Sequence, residues 1–136
     1  MMEPDMLLVF QTFGLVLFVV SMFFRMKTNY LLHGIIIILL VAIGWVVTIM
    51  SIPSFMDSTS MEPYISPIST LVLASLHILF GIASLIFATW LVALWRPRST
   101  DFAVKSEKIW KLTAMYWILA YAVGLLLYVA LTTTFL

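Results

Sequence analysis

Two histidines and a group of methionines are the residues whose types could support metal or haem chemistry in this chain. His77 lies in the apolar segment LASLHILFGIAS, and His33 lies in a separate apolar segment. Met50, Met56 and Met61 occur together between them. Thioether and imidazole groups suit Cu(I), although this spacing matches no fixed metal motif. For His77 we favour a structural role, in which a buried polar side chain hydrogen-bonds between helices.

The rest of the chain offers no pattern typical of catalysis. It has no cysteine, which excludes disulfides, thiol redox chemistry and a cysteine nucleophile. We find no paired carboxylates, no nucleophile–base set and no glycine-rich phosphate loop. We also expect no Asp, Glu, Lys or Arg inside a membrane span, where proton relays and ion-coupled transporters usually need one. We therefore predict a protein that is not an enzyme and has no cofactor of its own, with copper or haem shared with a partner as the alternative.

Hydropathy indicates that these residues lie in transmembrane helices. The 136-residue chain is 64% hydrophobic and 10% charged, with a mean hydropathy of +1.17. Runs of about 20 apolar residues can cross a bilayer as helices. Four such runs, at 6–24, 30–50, 68–95 and 112–135, are called spans 1 to 4. Too little chain remains for a soluble domain, so the sequence predicts one all-α domain over 1–136, a four-helix transmembrane bundle of two hairpins.

The charges are divided between the two predicted ends of the bundle. Acidic residues occur before span 1, at Glu3 and Asp5, and between spans 2 and 3, at Asp57 and Glu62. All basic residues fall in the other two connections: Arg25, Lys27, Arg96, Arg98, Lys105, Lys108 and Lys111. Basic loops of membrane proteins stay in the cytoplasm, so we predict a multi-pass cell-membrane protein with both termini outside.

The second basic loop has a further possible role. Its lysines and arginines could attract anionic lipid or an acidic partner, although a role in setting topology is the simpler interpretation. Trp95, Trp110 and Tyr30 flank the basic connections, where aromatic rings often lie at the membrane interface. We predict contacts with membrane lipid and with other integral membrane subunits, and no nucleic-acid partner.

Two stripes of residues at helical spacing predict a seam between spans 3 and 4. Small residues line helix faces that pack closely in membranes, and residues three or four apart share a face. The first stripe is Ala74, His77, Gly81, Ser84 and Ala88, and the second is Ala114, Trp117, Tyr121, Gly124 and Tyr128.

Depth along the two helices suggests which residues meet His77. Measured from Leu94 and Leu112, His77 and Tyr128 both lie roughly 25 Å from the inner boundary. We therefore expect Tyr128 within reach of His77, with Thr48 and Gln11 completing a polar cluster. His33 lies near the opposite boundary, roughly 20 Å or more from His77, so one protomer cannot form a bis-histidine haem site from this pair.

The second half of the chain resembles a small four-helix membrane family typified by the cytochrome oxidase maturation protein CtaM. The residues that carry this resemblance are His77, the segment KSEKIWKLTAMYW, and Trp117, Gly124 and Tyr128 in a W-x6-G-x3-Y spacing. The resemblance covers residues from about 70 to 132, and the first half matches in topology only. It implies a four-helix membrane protein that assists the assembly of a haem–copper oxidase.

The chain also departs from the family pattern at positions where the family has histidines. Such histidines lie near the start and the end of the second span and before the fourth span. In this chain Met50 ends the second span and Ser106 takes the position before the fourth, while His33 lies near the start of the second. A proline before the family tryptophan is replaced by Met115. If the family histidines bind a metal or haem, this chain has kept the scaffold and lost most of the site.

Three functions are consistent with these observations. The first is a non-catalytic accessory subunit or assembly factor of a membrane redox metalloenzyme, of the haem–copper oxidase type by resemblance. The second is an accessory subunit of a copper-dependent membrane monooxygenase. The third is a copper- or haem-handling maturation factor that would use His77 and the methionines Met50, Met56 and Met61.

Overall fold

Four long helices contain nearly all of the residues that the structure describes. The computed structural model describes residues 4–57, 62, 68–95 and 101–132. Within these ranges the helices are α1 (Pro4–Met26), α2 (Tyr30–Met56), α3 (Ile68–Leu94) and α4 (Phe102–Thr132), and no strand occurs. Each contains a segment long and apolar enough to cross a membrane. The prediction of an all-α, four-helix transmembrane bundle is confirmed.

Each helix packs against its neighbour in the chain, and α1 also packs against α4, which closes the bundle. The largest interface joins α3 to α4. The charges lie at two ends, which we call the basic end (Arg25, Lys27, Lys105, Lys108 and Lys111) and the acidic end (Asp5, Asp57 and Glu62).

A tight turn at the basic end joins α1 to α2. Asn29 N donates to Phe24 O at 2.8 Å and Thr28 N donates to Arg25 O at 3.0 Å, the two bonds of a Schellman cap. Thr28 has a positive φ of 59°, which this cap requires and which is unfavourable for a β-branched residue. The Asn29 side chain then accepts from Leu32 N and caps the start of α2. The short turn fixes α1 and α2 as an antiparallel pair.

Three helices extend beyond their predicted spans, α1 by two residues at each end and the other two by more. α2 continues through Pro53 to Met56, six residues beyond the predicted end of span 2 at residue 50. α4 begins at Phe102, ten residues before the predicted start at 112, so Lys105, Lys108 and Lys111 lie on a helix and not in a loop. Lys and Glu are good helix formers, and an apolar-run criterion does not detect a helix that carries them. The predicted end of span 4 and residues Arg96 and Arg98 lie outside the described residues.

Arg25 lies on a helix and not in the connection where the sequence placed it. It lies in the last turn of α1, inside the apolar segment Asp5–Met26, and its side chain is only partly exposed. The sequence placed Arg25 in a connection because the apolar run ends at Phe24. The helix continues past that run, so the guanidinium is carried into the end of the bundle.

The seam between α1 and α4 has a seven-residue repeat on both helices. Gln11, Phe18 and Arg25 on α1 face residues on α4 that are also seven apart, Gly124, Trp117 and Trp110. Side chains seven apart lie on the same helix face two turns apart. The repeat divides the bundle into three layers: a polar layer towards the acidic end, an aromatic layer, and a polar layer at the basic end.

The predicted stripe on α3 is mostly buried, and the stripe on α4 mainly faces α1. Ala74, Ser84 and Ala88 are buried, whereas a Cβ at Gly81 would have nothing within 4 Å. The contacts from the α4 stripe to α1 include Phe18 to Trp117, Gln11 to Gly124, Tyr121 to Thr12 and Tyr128 to Asp5.

Candidate functional site

His77 joins three helices in the polar layer towards the acidic end. Its Nδ1 lies 2.9 Å from the carbonyl oxygen of Ala120 on α4, and its Nε2 lies 3.3 Å from Gln11 Nε2 on α1. Because a carbonyl only accepts, the proton must be on Nδ1, and Nε2 then accepts from the Gln11 amide. Both ring nitrogens are therefore used in contacts that hold helices together, as the structural interpretation of His77 expects.

Gly124 provides the space in which His77 and Gln11 meet. A Cβ at this position would lie 2.5 Å from Gln11 Oε1 and 3.0 Å from His77 Cε1. Such distances are too short for an unstrained side chain, so only glycine fits here without a shift of its neighbours. The glycine of the W-x6-G-x3-Y pattern thus has a local packing reason in this chain.

His77 and Tyr128, which we expected within reach of each other directly or through a water, form no direct hydrogen bond with each other. The Tyr128 hydroxyl instead donates to Asp5 Oδ1 at 2.7 Å. His77 meets residues 120–124 of α4, and Tyr128 lies four residues further on, roughly 6 Å. The expected depth was measured from Leu112, but α4 begins at Phe102, so the two helices pair in a different register.

Of the two other residues proposed for this cluster, only Gln11 belongs to it. Thr48 donates to the carbonyl of Gly44 in its own helix at 2.7 Å, as serine and threonine commonly do inside helices. Its hydroxyl proton is therefore donated within α2 and not to a residue of α1 or α3.

An aromatic layer separates the two histidines. Phe18 is fully buried and stacks between two tryptophans of α4, with centroid distances of 5.2 Å to Trp110 and 5.0 Å to Trp117. The interplanar angles are 23° and 14°. His77 lies on one side of this layer, and His33 contacts Trp110 on the other.

His33 is the centre of the polar layer at the basic end, and its side chain is fully buried. Its Nδ1 lies 2.7 Å from Ser21 Oγ and 3.1 Å from the Ser21 carbonyl oxygen. Its Nε2 lies 3.5 Å from Arg25 Nη1. A guanidinium only donates, so Nε2 is the acceptor and the proton is on Nδ1, the same tautomer as in His77. The Ser21 hydroxyl donates in turn to the His33 carbonyl.

Arg25 links this layer to the start of α4. Its Nη2 donates to Ser106 Oγ at 3.0 Å and to the Ala103 carbonyl at 3.4 Å. The guanidinium carbon also lies 5.3 Å from the ring centroid of Trp110 and 5.7 Å from those of Tyr30 and Phe102. These are distances at which a cation is attracted to a ring face. Three helices therefore converge on one guanidinium.

The tryptophans that we expected at the membrane interface pack within the bundle. Trp95 donates from Nε1 to the Tyr30 carbonyl at 3.0 Å, and its indole covers Gly34, where a Cβ would overlap the ring. Trp110 stacks on Phe18. Both side chains therefore join helices, which hydropathy alone does not distinguish from an interfacial position.

The methionine candidates for a metal site show no convergence on His77. Met50 and Met56 are 73% and 84% exposed, and Met61 lies outside the described residues. Among the residues that the structure describes, no group of three or more His, Asp or Glu side chains could hold a metal ion. Every buried side-chain nitrogen and oxygen in the same part of the chain has a hydrogen-bond partner.

The polar layer at the basic end was missed by the sequence interpretation, which considered His33, Arg25 and Ser106 separately and did not consider Ser21. The signal that could have found it is the repeat of Gln11, Phe18 and Arg25 with its counterpart on α4. Comparison of the chain with protein-family models, with curated proteins and with solved structures found no match.

Proposed function

We propose that this protein is a non-catalytic integral membrane accessory subunit, or assembly factor, of a larger membrane redox metalloenzyme. The type of host, a haem–copper oxidase, is suggested by the resemblance at His77, Trp117, Gly124 and Tyr128. The predicted setting is the cell membrane, with both termini outside and the basic end in the cytoplasm.

The observation that supports a non-catalytic role is that both ring nitrogens of each histidine already form hydrogen bonds within the chain. Each imidazole donates from Nδ1 to a backbone carbonyl of another helix and accepts at Nε2 from a side chain of α1. A metal or haem iron would need the Nε2 lone pair that Gln11 or Arg25 occupies. The same contacts join α2 to α1, and α3 to α1 and α4, as a scaffold requires.

The surface of the bundle supports partner or lipid contact. Large apolar side chains on all four helices are exposed, among them Phe13, Trp45, Trp90 and Ile118 at 57%, 38%, 54% and 52%. In a bilayer these groups face lipid or another membrane helix. A small bundle with polar side chains bonded inwards and apolar side chains outwards is suited to packing beside larger subunits.

Purification from the native membrane in mild detergent tests the proposal. We expect the tagged chain to co-purify with metalloenzyme subunits, in fixed ratio for a subunit or in trace amount for an assembly factor. For an assembly factor, deletion of the gene should lower the cofactor content of the enzyme. Recovery of copper monooxygenase subunits would identify a different host enzyme but leave the proposed accessory role unchanged. Recovery of no redox enzyme would contradict the proposal.

A cofactor-handling role would be recognised by a different result. The isolated protein would then show a Soret band with haem, or bound copper by metal analysis, and His77→Gln would abolish it. Phe13→Ala, which alters an exposed side chain of α1, is the control for general effects of mutation. We expect neither signal in the wild-type protein.

A further inference from the structure

Arg25 carries a positive charge into the end of the bundle, and no acidic side chain among the described residues forms a hydrogen bond or an ion pair with it. Its polar contacts are His33 Nε2, the Ser106 hydroxyl and the Ala103 carbonyl, all of them neutral. Glu107, whose charge acts on Arg25 without contact, is in an ion pair with Lys111 at 3.2 Å, and Asp101 is in an ion pair with Lys105 at 4.0 Å. A partly buried charge is costly unless an opposite charge compensates it.

The guanidinium has the means to bind such a charge. It has five N–H donors, and the three contacts with His33, Ser106 and Ala103 use three of them. The side chain is partly exposed, so an outside group can reach it. The rings of Tyr30, Phe102 and Trp110 surround it and limit its rotation. A guanidinium fixed in this way is well suited to a bidentate bond with phosphate or carboxylate oxygens.

We propose that Arg25 binds the phosphate group of an anionic phospholipid at the basic end of the bundle. The site lies where the apolar helix α1 ends and α2 begins, and lipid phosphates lie just beyond the ends of segments that cross the hydrocarbon core. Basic pockets between transmembrane helices are known sites for anionic headgroups. Lys27, which is exposed, lies on the adjoining turn and adds positive charge. The inference is independent of the identity of the redox partner.

Lipid retention by the purified full-length protein tests the site. The protein is depleted of lipid in detergent, titrated with phosphatidylglycerol or phosphatidylcholine, and examined by native mass spectrometry. We expect preferential retention of phosphatidylglycerol, and about tenfold weaker retention by Arg25→Gln, the loss expected for one charge-assisted contact. The matched control is Lys108→Gln, which removes the same charge from an exposed position at the same end.

A second variant protects the test against misfolding. Ser106→Ala removes an internal partner of Arg25 and leaves the guanidinium in place, so it should retain phosphatidylglycerol like the wild-type protein. Thermal unfolding of each variant without lipid shows whether Arg25→Gln is folded. If Arg25→Gln does not fold, Arg25→Lys is used, and its phosphatidylglycerol retention should fall below that of Lys108→Gln.

Three outcomes would overturn the proposal. Equal loss in Arg25→Gln and Lys108→Gln would indicate a diffuse attraction of the basic end for anionic lipid. Stabilisation by inorganic phosphate as large as that by phosphatidylglycerol would indicate a site for free phosphate. If both lipids are retained equally and Arg25→Gln alone loses a co-purified protein, Arg25 pairs with an acidic side chain of that protein and not with a lipid phosphate.

Discussion

Phe18 of α1 stacks against Trp117 of α4, with ring centroids 5.0 Å apart and ring planes 14° apart. This contact and the second stack on Trp110 form the aromatic layer of the α1–α4 seam, between the two polar layers. In a membrane the hydrophobic effect does not drive helices together, so close packing must do so. Phe18 is therefore the residue on which we expect the seam to depend most.

Replacement of Phe18 by alanine should destabilise the bundle. The change leaves a cavity between two tryptophans and removes two aromatic stacks, which together should cost about 3 kcal/mol. Thermal unfolding in detergent, followed by near-UV circular dichroism of the tryptophans, measures the effect. Phe13→Ala is the matched control, because Phe13 is 57% exposed on the same helix and should change stability by less than about 0.5 kcal/mol. Equal losses in both variants would contradict the assigned role of Phe18.

A methyl group at Gly124 should disturb the layer that contains His77. It would lie within 3.0 Å of His77 Cε1 and closer still to Gln11 Oε1, so Gly124→Ala should cost about 1–3 kcal/mol. Gly81→Ala provides the comparison, since a Cβ there meets nothing within 4 Å and alanine favours a helix by up to about 1 kcal/mol. Unfolding of both variants in detergent measures the difference. A Gly124→Ala protein as stable as Gly81→Ala would show that Gln11 and His77 rearrange freely.

The helices were predictable from the sequence because their apolar runs are long. The contacts between the helices were less predictable. Hydropathy located α1 to α3 to within a few residues, apart from the end of α2. It missed the first ten residues of α4, since lysines at exposed positions interrupt an apolar run without ending a helix. That error moved the expected register of α4, so His77 was matched in depth with Tyr128, whereas it bonds directly to Ala120.

The polar layer around Arg25 was not predictable by the same reasoning. A basic residue after an apolar run is typical of a topology determinant, and composition does not reveal which way its side chain points. The direction depends on Ser106 and Trp110 being one turn apart on a helix that the sequence interpretation treated as a loop. Only the three-dimensional register brings Arg25, His33 and Ser106 together.

The tautomers of the histidines are a direct spectroscopic prediction. The acceptor at each Nδ1 is a backbone carbonyl, of Ser21 for His33 and of Ala120 for His77, so both rings should carry their proton on Nδ1. Nitrogen-15 NMR of histidine-labelled protein distinguishes this tautomer from the commoner Nε2–H form. Gln11→Leu removes the donor to His77 Nε2 and should shift that nitrogen resonance alone. An Nε2–H form in both rings would contradict the hydrogen-bond assignment.

The orientation of the bundle can be measured with single cysteines, because the chain has none. The distribution of basic residues predicts that the basic end is cytoplasmic. Glu62→Cys and Lys108→Cys place a thiol at exposed positions of opposite ends. A membrane-impermeant maleimide should label Glu62→Cys in intact cells and Lys108→Cys only after permeabilisation. Ser106→Cys, at a fully buried position, should react only after denaturation. It therefore serves as the control for nonspecific labelling. The reverse pattern would place both termini in the cytoplasm, and Arg25 would then face the outer leaflet.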